Sequence, residues 1–235
     1  AAKSEQLLSD VLLSASVIGR KDIDKNQSAD LVDILRSEPG LEIVRTGGLG
    51  TATSVYLRGG NSNQTLILLD GVPFSGESAS GAAAPIEMIP VSQIEKIEIL
   101  RGNASALYGS GAVGGVINIV TKDGFGDPKA NVDVTYGSRN TKNIVASFSG
   151  EVDSTKFYVS ASSLNTGGYN TINPASFPDV NQSPNGYRNN SAKLNLSKNF
   201  GEGLTLGVNY VSSNSWTSLD GTMSHLDQDY SNRQL

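Results

Sequence analysis

From Asn131 onward the chain alternates between apolar and polar residues. "ANVDVTYG" sets Val132, Val134 and Tyr136 against Asn131, Asp133 and Thr135. "SAKLNLSKNF" sets Ala192, Leu194, Leu196 and Phe200 against Ser191, Lys193, Asn195, Ser197 and Asn199, with Lys198 the exception on the apolar side. "GLTLGVNYV" repeats the pattern with Leu204, Leu206, Val208 and Tyr210. "KNIVASFSGE" and "KFYVSASSLN" follow it less cleanly. A period of two predicts strands with one face in an apolar medium and the other in water.

The connections alternate too. "VDST" (152–155) and "GEG" (201–203) are short, whereas the stretches 165–188 and 215–230 are long. Short turns at one end and long loops at the other are the layout of an outer-membrane barrel, with Tyr136, Phe200 and Tyr210 at girdle positions. A soluble antiparallel sandwich with one polar face fits the alternation equally well. The count is five strands and the start of a sixth at about Gln228–Leu235.

Before about Gly126 the pattern is mixed. "SADLVDILRSEPGLEIV" predicts a helix with Ser28 as N-cap and a stripe of Leu31, Ile34 and Leu35, stopped at Pro39-Gly40. "SVYLRG", "QTLILLDGV" and "IEKIEILRG" predict short strands between small-residue loops. The total is a small α+β domain.

Within "LRGNASALYGSGAVGGVINIVTK", Gly109, Gly111 and Gly114 spell G-x-G-x-x-G. A dinucleotide loop would need a helix after the last glycine, to hold the pyrophosphate on its N-terminus. The segment after the glycines, "VINIVTK", is rich in β-branched residues and predicts a strand. The glycines then mark tight turns or close backbone approach. No nucleotide-dependent enzyme is expected.

Composition narrows the classes further. The 235 residues hold no cysteine, which removes disulfides, thiolate catalysis and cysteine metal sites. The net charge of −5 argues against nucleic acid as a partner. The single histidine, His225, lies in a polar stretch. No run approaches the length of a membrane-spanning helix, a criterion blind to β-barrels. "AAKSEQLLSD" lacks the basic and apolar regions of an intact secretory signal, so none is expected here.

"LVDILRSEPGLEI", "VYLRGGNSNQTLILLDGVPF", "PVSQIEKIEILRGNASALYGSGAVGGVINIVTK" and the strands after them resemble a TonB-dependent outer-membrane receptor across about residues 20–235. Among the subfamilies, "GGLGTATSVYLRG" and the short loops are most similar to vitamin B12 (cobalamin) receptors. The resemblance implies an α+β plug domain followed by antiparallel transmembrane β-barrel strands, incomplete in this chain, since the family's barrel has about 22 strands. It divides the chain into an N-terminal segment (1–19) with a possible TonB box, a plug (20–126), and barrel strands (127–235). An open edge cannot stand in lipid, so remaining barrel polypeptide is an implied partner.

The resemblance also implies roles. Arg58 and Arg101, one in each "LRG", would anchor the plug to barrel-wall carboxylates, because a guanidinium in a partly dry lumen needs such a partner. Ligand would touch three apical loops, at Ala52 and Ser54, at Asn61, and at Ala79 and Ser80. Contact with TonB would fall on Asp10, Val11, Leu12 and Leu13, within the extended "SDVLLSAS" (9–16). That segment runs almost at once into "VIGRKDI", where the family has a longer linker. The implied activity is uptake without chemistry on the substrate, of a corrinoid or, alternatively, a ferric siderophore or haem. A binding or docking module without transport is the other class. Outer-membrane lipid and lipopolysaccharide of a Gram-negative cell would surround the strands. No cofactor is expected. Asp179, Asp220, Asp227 and Asp229 offer oxygen ligands for calcium but no tight cluster.

Overall fold

The computed structural model describes residues 14–26, 28, 30–74, 84–170, 184–201, 203–218 and 228–234, the last stretch in backbone only. Two compact units emerge. The first comprises the chain to Thr46 together with Ala52–Lys122, and the second comprises Gly47–Thr51 together with Asp123–Leu235.

The first unit holds β1 (Ser14–Gly19), α1 (Arg20–Asn26), α2 (Leu31–Leu35), β2 (Leu41–Arg45), β3 (Thr53–Leu57), β4 (Thr65–Leu69), β5 (Val72–Pro73), β6 (Ile94–Arg101), α3 (Ser105–Tyr108) and β7 (Gly115–Thr121). Its main sheet runs β1-β6-β7-β4-β5, with β2 and β3 as a separate pair. Among the described residues only β4 and β7 pair in parallel. A parallel strand covered on both faces reads as a continuous apolar run, which accounts for "GVINIVT": six of its seven residues are buried. Ile23, Leu31, Ile34, Leu35, Leu57, Ile94, Ile97, Ile99 and Ile117 form the core.

A strand therefore occupies the position where a dinucleotide loop needs a helix. Gly115, at φ +149°, shows why glycine stands there: a Cβ would sit 2.3 Å from the Leu100 carbonyl oxygen and 2.4 Å from Leu57. The α2 N-cap differs from the Ser28 expectation. Asp30 caps the helix, accepting from the Val32 amide at 3.1 Å, because the first helical residue is Leu31 and an N-cap acceptor must reach N2 or N3. Ser28 Oγ instead accepts from the Asp30 amide.

The second unit is a meander of β8 (Lys129–Gly137), β9 (Thr141–Val152), β10 (Thr155–Tyr169), β11 (Asn185–Asn199), β12 (Thr205–Thr217) and β13 (Gln228–Gln234). Among the described residues β8 and β13 are open edges. Arg139-Asn140 and Asp153-Ser154, all at positive φ, make the tight hairpin turns. The strands run further into 165–188 and 215–230 than the alternation suggests. β10 and β11 have 15 residues each, more than the roughly 9–11 that cross a bilayer. Their upper ends, "NTGGY" and "NGYRNN", are polar on both faces, so hydropathy gives no sign of them.

Burial in this sheet is inverted relative to a soluble protein. Val132 is 69 % exposed and Leu206 is 59 %, whereas Lys193 is 1 % exposed and Ser160, Asn189, Ser191 and Ser215 are buried with it. Water-soluble sheets bury the apolar face; a sheet that presents it outward over its whole width is built for lipid. Lys198, the exception in the alternation, sits at the short-turn end with its ammonium 5.6 Å from the Phe200 ring, where a lysine head leaves the apolar band.

Candidate functional site

Three groups of residues in the first unit carry charge into a dry interior. Arg101 ends β6 and is almost fully buried, and all three of its guanidinium nitrogens donate within the unit. Nε donates to the Pro39 carbonyl at 3.0 Å, Nη1 to Ser16 Oγ at 2.9 Å and Nη2 to Glu38 Oε2 at 2.8 Å. Ser16 Oγ also donates to Glu38 Oε2 at 2.8 Å. One arginine thus ties β1 to the turn after α2. The carboxylate it meets is Glu38, where the sequence led us to expect a barrel-wall acid. The reason is local: the Glu38-Pro39 turn lies over the end of β6, and Leu41–Leu57 pairing with β3 fixes that turn. Arg58, its counterpart in the other "LRG", is exposed in a left-handed turn at φ +51°. Its backbone amide donates to Gly40 O, and its side chain faces solvent. Identical tripeptides therefore occupy unlike places.

The second group is Asp30, Arg45 and Glu87. Arg45 and Asp30 form a buried ion pair at the start of α2. Burial is the largest influence on the Asp30 carboxyl and raises it, against the opposing pull of Arg45 and the Val32 amide. Glu87 lies close enough to feel both charges, and burial pushes its carboxyl up to about 7. The third group closes β7: Asp70 accepts from the Thr121 amide at 2.7 Å and from Thr121 Oγ1 at 2.5 Å. None of these acids stood out in the sequence. Glu38 sits in a segment legible only as a helix stop, and Glu87 in one with no periodicity.

The apical loops are partly described. Ala52 is exposed and Ser54 half-buried at the head of β3. Asn61 is exposed and opens a short 3-10 turn, its amide donating to Gln64 Oε1 at 3.0 Å. Ala79 and Ser80 lie outside the described residues, as do Asp10, Val11, Leu12 and Leu13. A cavity of about 160 Å3 lies among Thr53, Val55, Ser62, Asn63, Phe74 and Gly111. It is far smaller than pockets that enclose even drug-sized ligands.

Gly47–Thr51, between β2 and β3, belongs by its contacts to the second unit. Gly50, at φ +76°, has no room for a Cβ, which would fall 2.2 Å from the Tyr187 ring and 2.3 Å from Thr217 Oγ1. Tyr187 and Thr217 are in register on β11 and β12, and the Tyr187 hydroxyl accepts from Asn189 Nδ2 at 3.1 Å. The loop that precedes Ala52 and Ser54 is thereby seated on the long-loop end of the sheet.

The first unit is similar to a known family. Residues 8–116 match the TonB-dependent Receptor Plug Domain. The first unit is similar to a TonB-dependent receptor plug. The chain is 41% identical over 138 residues to the vitamin B12 transporter BtuB of Vibrio vulnificus (strain CMCP6), covering 59% of this chain and 22% of that protein. The fold resembles the siderophore receptor PirA from Acinetobacter baumannii, with a TM-score of 0.68, 25% identity, and coverage of 90% of this chain and 33% of that one. The pyoverdine receptor FpvA of Pseudomonas aeruginosa shares the fold at a TM-score of 0.73 and 17% identity, covering 91% of this chain and 26% of that one. The chain thus spans about a fifth to a third of the length of the relatives it matches. The first unit is similar to the plug of these receptors, and the second to the strands of their barrels.

Proposed function

We propose that this chain is the plug and first barrel strands of an outer-membrane transporter that takes up cobalamin or another corrinoid in a Gram-negative cell. The observation that carries the reading is a plug joined to a sheet with its apolar face outward and its polar face buried. The 41% identity to a B12 transporter over 138 residues favours a corrinoid. Likeness to siderophore receptors keeps a ferric chelate as the second reading. TonB is the proposed energy-coupling partner, through Asp10, Val11, Leu12 and Leu13, adding a strand as extended segments do. Arg58, exposed on the plug, is the arginine available for a barrel carboxylate, while Ala52, Ser54, Asn61, Ala79 and Ser80 are the proposed ligand contacts. Remaining barrel polypeptide closes the open edges, and outer-membrane lipid with lipopolysaccharide surrounds the apolar band. No resident cofactor is proposed; among the described residues no group of three acids or histidines is set to hold a metal.

The deciding experiment is titration of the full-length protein in detergent with cyanocobalamin and with ferric siderophores, beside uptake in cells with and without TonB. Corrinoid binding with TonB-dependent uptake is expected. Saturable binding of a siderophore alone would replace the corrinoid, and binding with TonB-independent accumulation would favour the docking-module class.

A further inference from the structure

The loop between β2 and β3 is too rich in glycine to hold a shape by itself. Gly47, Gly48 and Gly50 are three of the five residues of Gly47–Thr51, and glycine loses more conformational freedom on ordering than any other residue. An internal turn ties the loop: the Gly48 carbonyl accepts from Thr51 Oγ1 at 2.9 Å and from the Thr51 amide at 3.4 Å. Thr46 closes its neck, donating to the Ala52 carbonyl through its amide at 3.2 Å and its Oγ1 at 3.3 Å. Gly48, Gly50 and Thr51 are nonetheless buried. The loop belongs by its contacts to the second unit, and that unit supplies the seat.

Tyr187 is the centre of the seat. It stands on β11 in register with Thr217 on β12, on the buried polar face, and is only 5 % exposed. Its ring fills the space that any side chain at position 50 would take. The ring is fixed from its far end, because Asn189 Nδ2 donates both to the Tyr187 hydroxyl at 3.1 Å and to Ser213 Oγ at 2.9 Å. Tyr169, at the end of β10, stands beside Gly48, 3.9 Å from where a Cβ would be. The loop leads directly into Ala52 and Ser54, two of the proposed ligand contacts, while Tyr187 has almost no surface left for a ligand to touch. We propose that Tyr187 is a positioning residue for ligand capture: its ring, held by Asn189, keeps Gly47–Thr51 in the shape that presents Ala52 and Ser54. Position 50 is glycine because loop backbone and ring must meet there. The inference rests on the uptake reading above. A loop that holds its competent shape only part of the time binds in proportion to that fraction.

The test uses the full-length protein in detergent with cyanocobalamin as probe, or a ferric siderophore if that is what wild type binds. One readout is the dissociation constant. The other is the mobility of a nitroxide on Ala52→Cys, in a background free of other cysteines. Wild type and Tyr187→Phe, which keeps the ring, are expected to share one affinity and an immobile label. Tyr187→Ala is expected to free the label and weaken binding roughly tenfold or more, as for a loop competent about a tenth of the time. Gly50→Ala should do the same from the loop side. Gly71→Ala is the control, since Gly71 has a φ of +82° but nothing within 4 Å of a Cβ, so it carries the backbone strain without the collision. It is expected to bind as wild type does. Heat-resistant migration in a gel reports an intact barrel for each variant, and if Tyr187→Ala fails to fold, Gly50→Ala decides. A label as immobile in Tyr187→Ala as in wild type overturns the inference. So does a mobile label with unchanged affinity, a loss in Tyr187→Phe equal to that in Tyr187→Ala, or a loss in Gly71→Ala equal to that in Gly50→Ala. Wild type that binds neither probe defeats the uptake reading and this role with it, whereas binding indifferent to Tyr187→Ala defeats this inference alone.

Discussion

Glu87 shows how a single buried carboxyl makes the plug sensitive to pH. Its carboxyl is raised to about 7, from an ordinary value near 4.5, by burial. The folded plug therefore holds a proton that the unfolded chain releases, so stability is greatest below about pH 4.5 for this group and falls as pH rises toward 7. Glu87→Gln should remove that slope. In urea titrations of the full-length protein's plug signal, wild type is expected to lose on the order of 2 kcal/mol between pH 5 and 7.5 relative to the glutamine variant. Parallel pH profiles would remove the assignment. Asp30 and Arg45 belong to the same neighbourhood but answer to a different physics. Their pair is nearly closed to water, so removing one charge strands the other. Asp30→Asn, which keeps an N-cap acceptor and removes only the charge, is expected to cost about 3 kcal/mol, read as a shift in the unfolding midpoint. These residues were not legible in the sequence. An isolated acid carries no mark of burial until the fold closes over it.

At the scale of elements, pattern and structure agree where one face of a strand meets one medium. "VINIVTK", "IEKIEIL" and the alternating strands are strands for the reasons their sequences give, and Gly115 is glycine because the β6 backbone runs beside it. Legibility fails where local sequence is neutral and a distant partner decides. β1 is an example: "SASVIG" has no strong pattern, and it is a strand because β6 offers an edge and Arg101 bonds Ser16. The same distance hid the difference between the two arginines, since "LRG" says nothing about whether a carboxylate waits nearby. Arg101→Ala should therefore loosen β1 specifically. Hydrogen exchange at the amides of Ser14–Gly19 is expected to accelerate at least roughly tenfold, for a loss of over 1.4 kcal/mol of local protection. Arg58→Ala, whose side chain is exposed within the plug, should leave those amides unchanged. Equal acceleration in both variants would show that the two arginines act alike after all.

The whole molecule turns on one question that alternation alone left open, whether the long sheet belongs to a barrel wall or to a soluble sandwich. Both have period two, and both place apolar residues on one face. What separates them is which face is buried, and that depends on what lies across the sheet, which no single strand can report. Here the polar face is buried, with Lys193 inside and Leu194 outside on adjacent positions of β11. Substituting Leu194 by arginine makes the two readings diverge in sign. In a sandwich whose apolar face had lost its cover, a charge at an exposed leucine would help solubility. In a barrel wall, the guanidinium would sit in the middle of the apolar band, between Val159 and Tyr210 in register, at a cost of about 2–4 kcal/mol near the bilayer centre. Leu194→Arg is thus expected to reduce the amount of folded, heat-resistant protein in the outer membrane several-fold. Arginine in place of Asn190, four residues toward the long-loop end and beside Asn214, should be tolerated because that position is already polar. The contrast between two outward positions on one strand separates depth in a membrane from a general intolerance of charge. Equal yields for Leu194→Arg and wild type would mean that this face does not meet lipid.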